Sequence, residues 1–218
     1  MKIPPTLKHL SYSNLALFES CPRCWWLKYQ HNFKLPVPVS WELGGNVHEA
    51  IHTYHLTGKK PVKPPIKALF DVYSDHYQPQ DYNELEYRFL VDIVHPINPK
   101  KKLGLPLMVV IDRIWDEWIH EVKTSSRKYN QKDIDSRIQT CLYAYAYRTK
   151  YEKEEKGIRY NVIVKNKKPK LQILDTFVSQ NDIAYGLDWI WKVWNDILES
   201  QSQNIIIRIV IERRCYLK

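Results

Sequence analysis

The stretch that decides the fold is Ile111-Asp112-Arg113-Ile114-Trp115-Asp116-Glu117-Trp118-Ile119-His120-Glu121-Val122-Lys123-Thr124. The spacing predicts two strands, Leu107 to Trp115 and Trp118 to Thr124, with Asp116-Glu117 as a tight antiparallel connection. Asp112 and Glu121 then occupy adjacent strands at nearly the same height, and adjacent strands lie about 5 Å apart. Glu121 and Lys123 sit two apart and share a face, while Val122 points the other way into the core. Two carboxylates and one ammonium group converge on one point. Hard oxygen ligands suit magnesium or manganese, which can polarise a phosphoryl oxygen and lower the pKa of a bound water. The lysine can orient or help deprotonate that water and offset charge building in the transition state. The bland alternative is the polar face of an ordinary two-stranded ribbon, because this spacing arises often by chance. The apolar approach to Asp112 and the small polar run Thr124-Ser125-Ser126 favour the site.

Outward from the hairpin, Leu85, Tyr87, Phe89, Val91 and Ile93 alternate with their neighbours and predict a further strand. Before it, Ser11 and Ser13 precede a capped helix, and Pro22 breaks that helix or begins a second one. Helices are expected across Trp41 to Leu56 and from Pro65 to about Tyr77. After it, helical periodicity runs from Ile134 through Tyr145. Ile158 to Val164 and Leu171 to Val178 read as strands, and a capping box at Ser179 and Asp182 opens a last helix. The β-branched run Ile205 to Ile211 has no assignable partner. These elements make one domain of mixed α and β structure, residues 1–218, with 1–80 mainly helical and 81–218 carrying most of the sheet.

Composition narrows the function classes. Six glycines against thirteen prolines leave no glycine-rich turn for a dinucleotide fold or a phosphate loop. Lys plus Arg number 33 against 24 Asp plus Glu, a net charge of +9 that favours a polyanionic partner. No segment reads as a signal peptide or membrane span, so the expected location is the cytoplasm, that of a host if the chain is virus-encoded. Cys21, Cys24, Cys141 and Cys215 are too few and irregular for a secreted disulfide framework.

The hairpin resembles motifs II and III of the PD-(D/E)XK nuclease superfamily, especially its RecB-like branch, which includes the Cas4 proteins. Other segments follow that branch's order. Leu10-Ser11-Tyr12-Ser13-Asn14-Leu15 with Cys21-Pro22 and Leu27-Lys28-Tyr29 resembles its N-terminal helical signature. Gly44-Gly45-Asn46-Val47-His48-Glu49 resembles the helix carrying its metal-binding histidine, and Glu86 falls where a strand-borne glutamate precedes the aspartate. Gln139-Thr140-Cys141-Leu142-Tyr143 resembles its Q-x-x-x-Y motif. The resemblance spans about residues 10 to 147. It implies a restriction-endonuclease-like α/β fold: a central mixed β-sheet flanked by helices, with an N-terminal helical segment. It also implies Mg2+- or Mn2+-dependent DNA cleavage, exonucleolytic at ends or on single strands, with a recombination, replication or CRISPR-associated partner. A DNA-binding subunit with little cleavage is the alternative. In this reading His48, Asp112, Glu121 and the Val122 carbonyl hold the ion, Lys123 positions water, and Gln139 orients Lys123. Tyr143 contacts the strand, and Glu86 and His52 support the ligands.

Two departures stand out. Met108-Val109-Val110-Ile111 leads into Asp112 where the family has a small residue. Cas4-like members combine one early cysteine with three late ones, whereas only Cys215 is late here, so no iron–sulfur cluster is expected. Cys21 and Cys24 have the spacing of half a zinc site but are better explained by core packing. Trp25 and Trp26 could stack on bases, though adjacent tryptophans in such a helix more often serve the core. His120 alternates away from Glu121 and is read as a non-ligand, and His55 as structural or supporting. Lys101 and Lys102 lie in one basic turn and Lys165, Lys167, Lys168 and Lys170 in another; with Arg127 and Lys128 they are candidate phosphate contacts, or simply solvated surface.

Overall fold

Asp116 and Glu117 do form the two-residue connection, with φ of +48° and +66° in the computed structural model, which describes residues 6–36 and 39–202. Two successive left-handed residues are what the twist of a tight hairpin demands, and glycine, not glutamate, is the usual second residue. Contacts around the turn offset that cost. The Asp116 N–H donates to Asn83 Oδ1 at 2.8 Å, and Lys156 Nζ meets the Asp116 carboxylate at 2.9 Å. Lys153 pairs with Glu117.

The turn joins β2 (Leu107–Trp115) to β3 (Trp118–Ser125), paired antiparallel from Trp115↔Trp118 to Arg113↔His120. With β1 (Glu84–Val91), β4 (Gly157–Val164) and β5 (Lys170–Thr176) they form a five-stranded sheet in the order β1-β2-β3-β4-β5. β4 runs parallel to β3 and antiparallel to β5, so the sheet is mixed. A parallel neighbour requires a crossover, and two helices supply it: α5 (Gln131–Asp135) and α6 (Ile138–Tyr151). The sequence reads as one helix from Ile134, but Arg137 is extended (φ −79°, ψ 122°) between the two. Asn130 and Asp133 close a capping box on the first piece, which ends after one turn.

The chain divides into two compact units. The first comprises Val37–Arg88 and Val110–Ser179. In it α3 (Val39–Thr57) lays Val47, Ile51 and Tyr54 into a core with Leu69, Phe70 and Tyr73 of α4 (Ile66–Ser74), and with Tyr77, Val122 and Ile163. The spacing of the three α3 residues leaves His48 and His52 beside the buried stripe. The second unit comprises Met1–Pro36, Phe89–Val109 and Gln180–Lys218. Here α1 (Tyr12–Ser20) and α2 (Pro22–Gln30) enclose Trp25, which is fully buried, edge-on to Phe18 and tilted against Tyr29. Cys21 caps α2, its sulfur accepting from the Cys24 N–H, and Cys24 is buried. α7 (Gln180–Ser202) packs on α1, with Trp189 against Tyr12. The run Ile205 to Ile211 and Cys215 lie outside the described residues. Among the described residues no helix is long and apolar enough to cross a membrane.

A polar network inside the first unit was not expected from the sequence. Arg113 is 2% exposed, with its guanidinium over the Tyr77 ring at 4.2 Å. Its Nη1 donates to the Asp81 carbonyl at 2.9 Å and its Nη2 to His120 Nδ1 at 2.6 Å. An arginine can only donate, so His120 Nδ1 carries no proton. Burial and the Arg113 charge depress His120 to about 2, and the same causes depress His55 to about 4. Both are below the ordinary value of 6.5. The unfolded chain therefore gains protons as pH drops through 6.5 while the folded chain does not. Stability is fully present above that pH and lost below it, by about 1.4 kcal/mol per pH unit for each such histidine. Replacing His120 by Gln removes one of these protons. Urea denaturation between roughly pH 6 and 4.5 should then show a slope shallower than wild type by about 1.4 kcal/mol per pH unit; parallel slopes would refute the buried neutral imidazole.

Candidate active site

One residue beyond Arg113↔His120 the β2–β3 ladder gives way. The Val122 N–H donates to Asp112 Oδ2 at 2.7 Å, so the aspartate side chain replaces a backbone acceptor. The other carboxylate oxygen, Oδ1, stands 3.7 Å from His48 Nδ1 of α3. Burial alone would raise the Asp112 pKa, but the adjacent His48 imidazole, the Lys123 charge and the Val122 N–H together bring it below the ordinary value. His48 is affected reciprocally: burial lowers it, Asp112 and Glu121 outweigh burial, and it ends above its ordinary value.

Glu121 is 2% exposed and gripped from two sides. Lys123 Nζ forms an ion pair with its Oε1, and the Tyr143 hydroxyl of α6 donates to its Oε2 at 2.7 Å. Gln139 Nε2 donates to that same hydroxyl at 2.7 Å, so the amide acts on Lys123 at two removes, through Tyr143 and Glu121. Burial and the nearby Asp112 charge drive the Glu121 pKa above the carboxylate range, against Lys123 and Tyr143. Burial would lower Lys123, but Glu121 and Asp112 hold it above its ordinary value, so it is an ammonium ion.

α3 reaches this place because a glycine lets it. A Cβ on Gly44 would lie 2.8 Å from Thr124 Oγ1, inside any real contact distance. Beside the site, His48, His52, Glu86 and Asp112 line a small cleft with Leu85 and Val122. His52 Nδ1 is 3.7 Å from Glu86 Oε1, too long for a hydrogen bond, and Glu86 has a φ of +44° and a half-exposed side chain. His120 belongs to the Arg113 network, away from these groups, as its alternation with Glu121 predicts. The network had a readable signal: an arginine and a histidine one step from the two carboxylates, in register across the hairpin.

The basic candidates fall into two groups. Arg127 and Lys128 follow β3, and Lys165, Lys167 and Lys168 follow β4; these parallel strands end side by side at Ser125↔Val164, with the Lys165 N–H on the Ser125 carbonyl at 2.7 Å. Lys170 opens β5 at the same end. Lys101 and Lys102 lie in the other unit, where Lys101 covers the Trp191 ring at 4.9 Å and Lys102 pairs with Asp92.

Among the described residues no group of three or more His, Cys, Asp or Glu side chains is drawn together in the manner of a metal centre. Glu121 instead faces Lys123 and Tyr143. The donors nevertheless suit a hard divalent ion: two carboxyl groups, the charge of Asp112 raising the pKa of Glu121, with an imidazole against Asp112.

The sequence profile of the PD-(D/E)XK nuclease superfamily matches residues 66–205. The chain belongs to that superfamily. The matched region includes Asp112, Glu121, Lys123, Gln139 and Tyr143; His48 lies before it. No curated protein matches the chain. Among solved structures, this PD-(D/E)XK chain is similar to a candidate exonuclease from Eubacterium rectale. Their TM-score is 0.60 at 15% identity, over 97% of this chain and 86% of that one. SSO0001 gives a TM-score of 0.46 at 14% identity, over 92% of this chain and 79% of that one. At such identity the first likeness speaks for the fold alone. The superfamily fold is consistent with nuclease activity.

The Gly44–Thr124 contact yields a test. Gly44→Ala should cost about 1–3 kcal/mol by overpacking, measured by urea denaturation. Adding Thr124→Ala should restore most of the loss. An unperturbed Gly44→Ala protein would show that α3 does not press on β3 there.

Proposed function

We propose that the protein is a Mg2+- or Mn2+-dependent deoxyribonuclease of the RecB-like, Cas4-like kind, acting on DNA ends or single strands, and that residues 1–218 work as one nuclease domain. The observation that carries this reading is the buried Glu121 carboxylate, held by Lys123 and Tyr143 beside Asp112 and His48. Burying such a carboxylate is costly, and nothing in packing alone rewards placing a second one near it.

Asp112, Glu121, His48 and the Val122 carbonyl would hold the ion. Bound there, it would supply Lewis acidity toward a phosphoryl oxygen and a more acidic water. The chain's own residues do the rest. Lys123, an ammonium while it pairs with Glu121, offsets negative charge on the phosphate and orients the attacking water by hydrogen bonding. Tyr143, with its pKa pushed well up by burial and Glu121, stays a neutral hydroxyl and fixes the carboxylate. Gln139 holds that hydroxyl in place. The Val122 N–H and His48 orient Asp112. Glu86 and His52 border the cleft and support the approach of His48. Arg127, Lys128, Lys165, Lys167, Lys168 and Lys170 would take the phosphate backbone on leaving the sheet; Lys101 and Lys102, in the other unit, are separate candidate phosphate contacts.

A second reading has a specific observation behind it: three metal-ligating side chains do not converge among the described residues, and Glu121 is committed to Lys123 and Tyr143. A DNA-binding subunit that keeps the architecture without efficient cleavage would look the same. The two differ in one assay. Purified protein should degrade linear single-stranded DNA with magnesium or manganese and stop on chelation by EDTA. Lys123→Ala should lose at least about 100-fold in rate. Salt-sensitive binding without cleavage of linear, single-stranded or branched DNA would favour the binding subunit. Equal activity of wild type and Lys123→Ala would remove the mechanism.

A further inference from the structure

Trp41 is 71% exposed in the first turns of α3, and it has no aromatic partner among the described residues. A single exposed apolar side chain needs no explanation by itself. Its position makes this one different. Trp41 and His48 are seven residues apart on one helix, which returns both to nearly the same face and separates them by about 10 Å along the axis. Between them lies Gly45, exposed, where an added Cβ would meet nothing within 4 Å. The strip from the indole to the imidazole is therefore bare backbone, open to a flat ligand.

The direction of α3 fixes what stands beside the indole. Gly44 touches Thr124, and Val47 and Ile51 pack with Val122, so the helix runs against the direction of β3. Trp41, one turn before Gly44, lies beyond Thr124, toward the end of the sheet from which Arg127, Lys128, Lys165, Lys167 and Lys168 depart. An exposed ring, a cationic rim and a bare strip leading to the candidate active site occur together within one unit.

We propose that Trp41 is a stacking platform for an unpaired nucleobase of a DNA strand whose phosphates lie on the Arg127/Lys165 rim and whose scissile bond reaches Asp112 and Glu121. The inference rests on the nuclease reading and deepens it by naming the side chain that would receive an unpaired base of a single strand or frayed end. In a duplex both faces of an internal base are already covered by its neighbours, so the indole has nothing to stack on. Stacking on an aromatic side chain does not depend on base identity, so the preference is for strandedness and not for sequence.

The test is binding without cleavage, in EDTA, of wild type, Trp41→Ala and Trp41→Phe to a labelled oligothymidylate, to the same oligonucleotide carrying abasic sites throughout, and to a blunt duplex. On oligothymidylate Trp41→Ala should bind on the order of 10-fold more weakly and Trp41→Phe should recover most of the loss. On the abasic strand wild type should weaken by a similar factor and Trp41→Ala should add no further loss, a coupling that a scaffolding role would not produce. Duplex affinity should be unchanged. The exposed position lets both variants fold, which thermal denaturation checks. Equal affinity of wild type and Trp41→Ala for oligothymidylate, or an equal loss by the variant on the abasic strand, overturns the platform and leaves the nuclease reading standing. Absence of oligothymidylate binding by wild type also overturns the platform, while the nuclease reading is decided separately by the cleavage assay with magnesium or manganese.

Discussion

A carboxylate removed from water needs a compensating charge, and Glu121 has one on only one side. Lys123 balances it, Tyr143 donates to it, and Asp112 opposes it. The acidic pair stands in a chain whose net charge is +9. Two buried carboxyl groups side by side cost free energy, which the proposed cation would offset. The rest of the first unit can be understood as what keeps the two carboxylates from moving apart.

Three devices do so. The Asp116-Glu117 turn sets the register that brings positions 112 and 121 level, at the expense of two left-handed residues. The Val122 N–H, released from the ladder, pins Asp112 from below, and α3, allowed close by Gly44, pins it through His48. α6 supplies Tyr143 and Gln139, one helical turn apart, to hold Glu121. Next to them, Arg113 and His120 cross-link the same two strands one residue further on, so polar side chains fasten the hairpin at two successive positions.

Much of this was legible in the sequence because strand and helix periods differ. Alternation around Asp116-Glu117 gave the hairpin and its turn, the spacing of Val47, Ile51 and Tyr54 gave the buried stripe of α3, and Gln139 with Tyr143 gave one face of α6. What escaped depends on the third dimension. Periodicity cannot show that Arg137 leaves the helix, because the apolar stripe continues across the break. It cannot show that Gln139 meets Tyr143 in place of Lys123, since reach is a matter of side-chain direction. The order of the five strands, with β3 and β4 parallel, placed Arg127 and Lys165 together although 38 positions separate them in the chain. Arg113 was hidden by habit: an arginine in a strand reads as a surface residue until His120 and Tyr77 are seen to enclose it.

The central claim is that Asp112 and Glu121 form one half-empty electrostatic site for a divalent cation, and anomalous scattering from a manganese-soaked crystal addresses it most directly. The account predicts one strong peak in contact with both carboxylates, with Glu121 drawn off Lys123. Crystals saturated with manganese in which Glu121 still pairs with Lys123 and Tyr143, and no peak stands at Asp112, would contradict it.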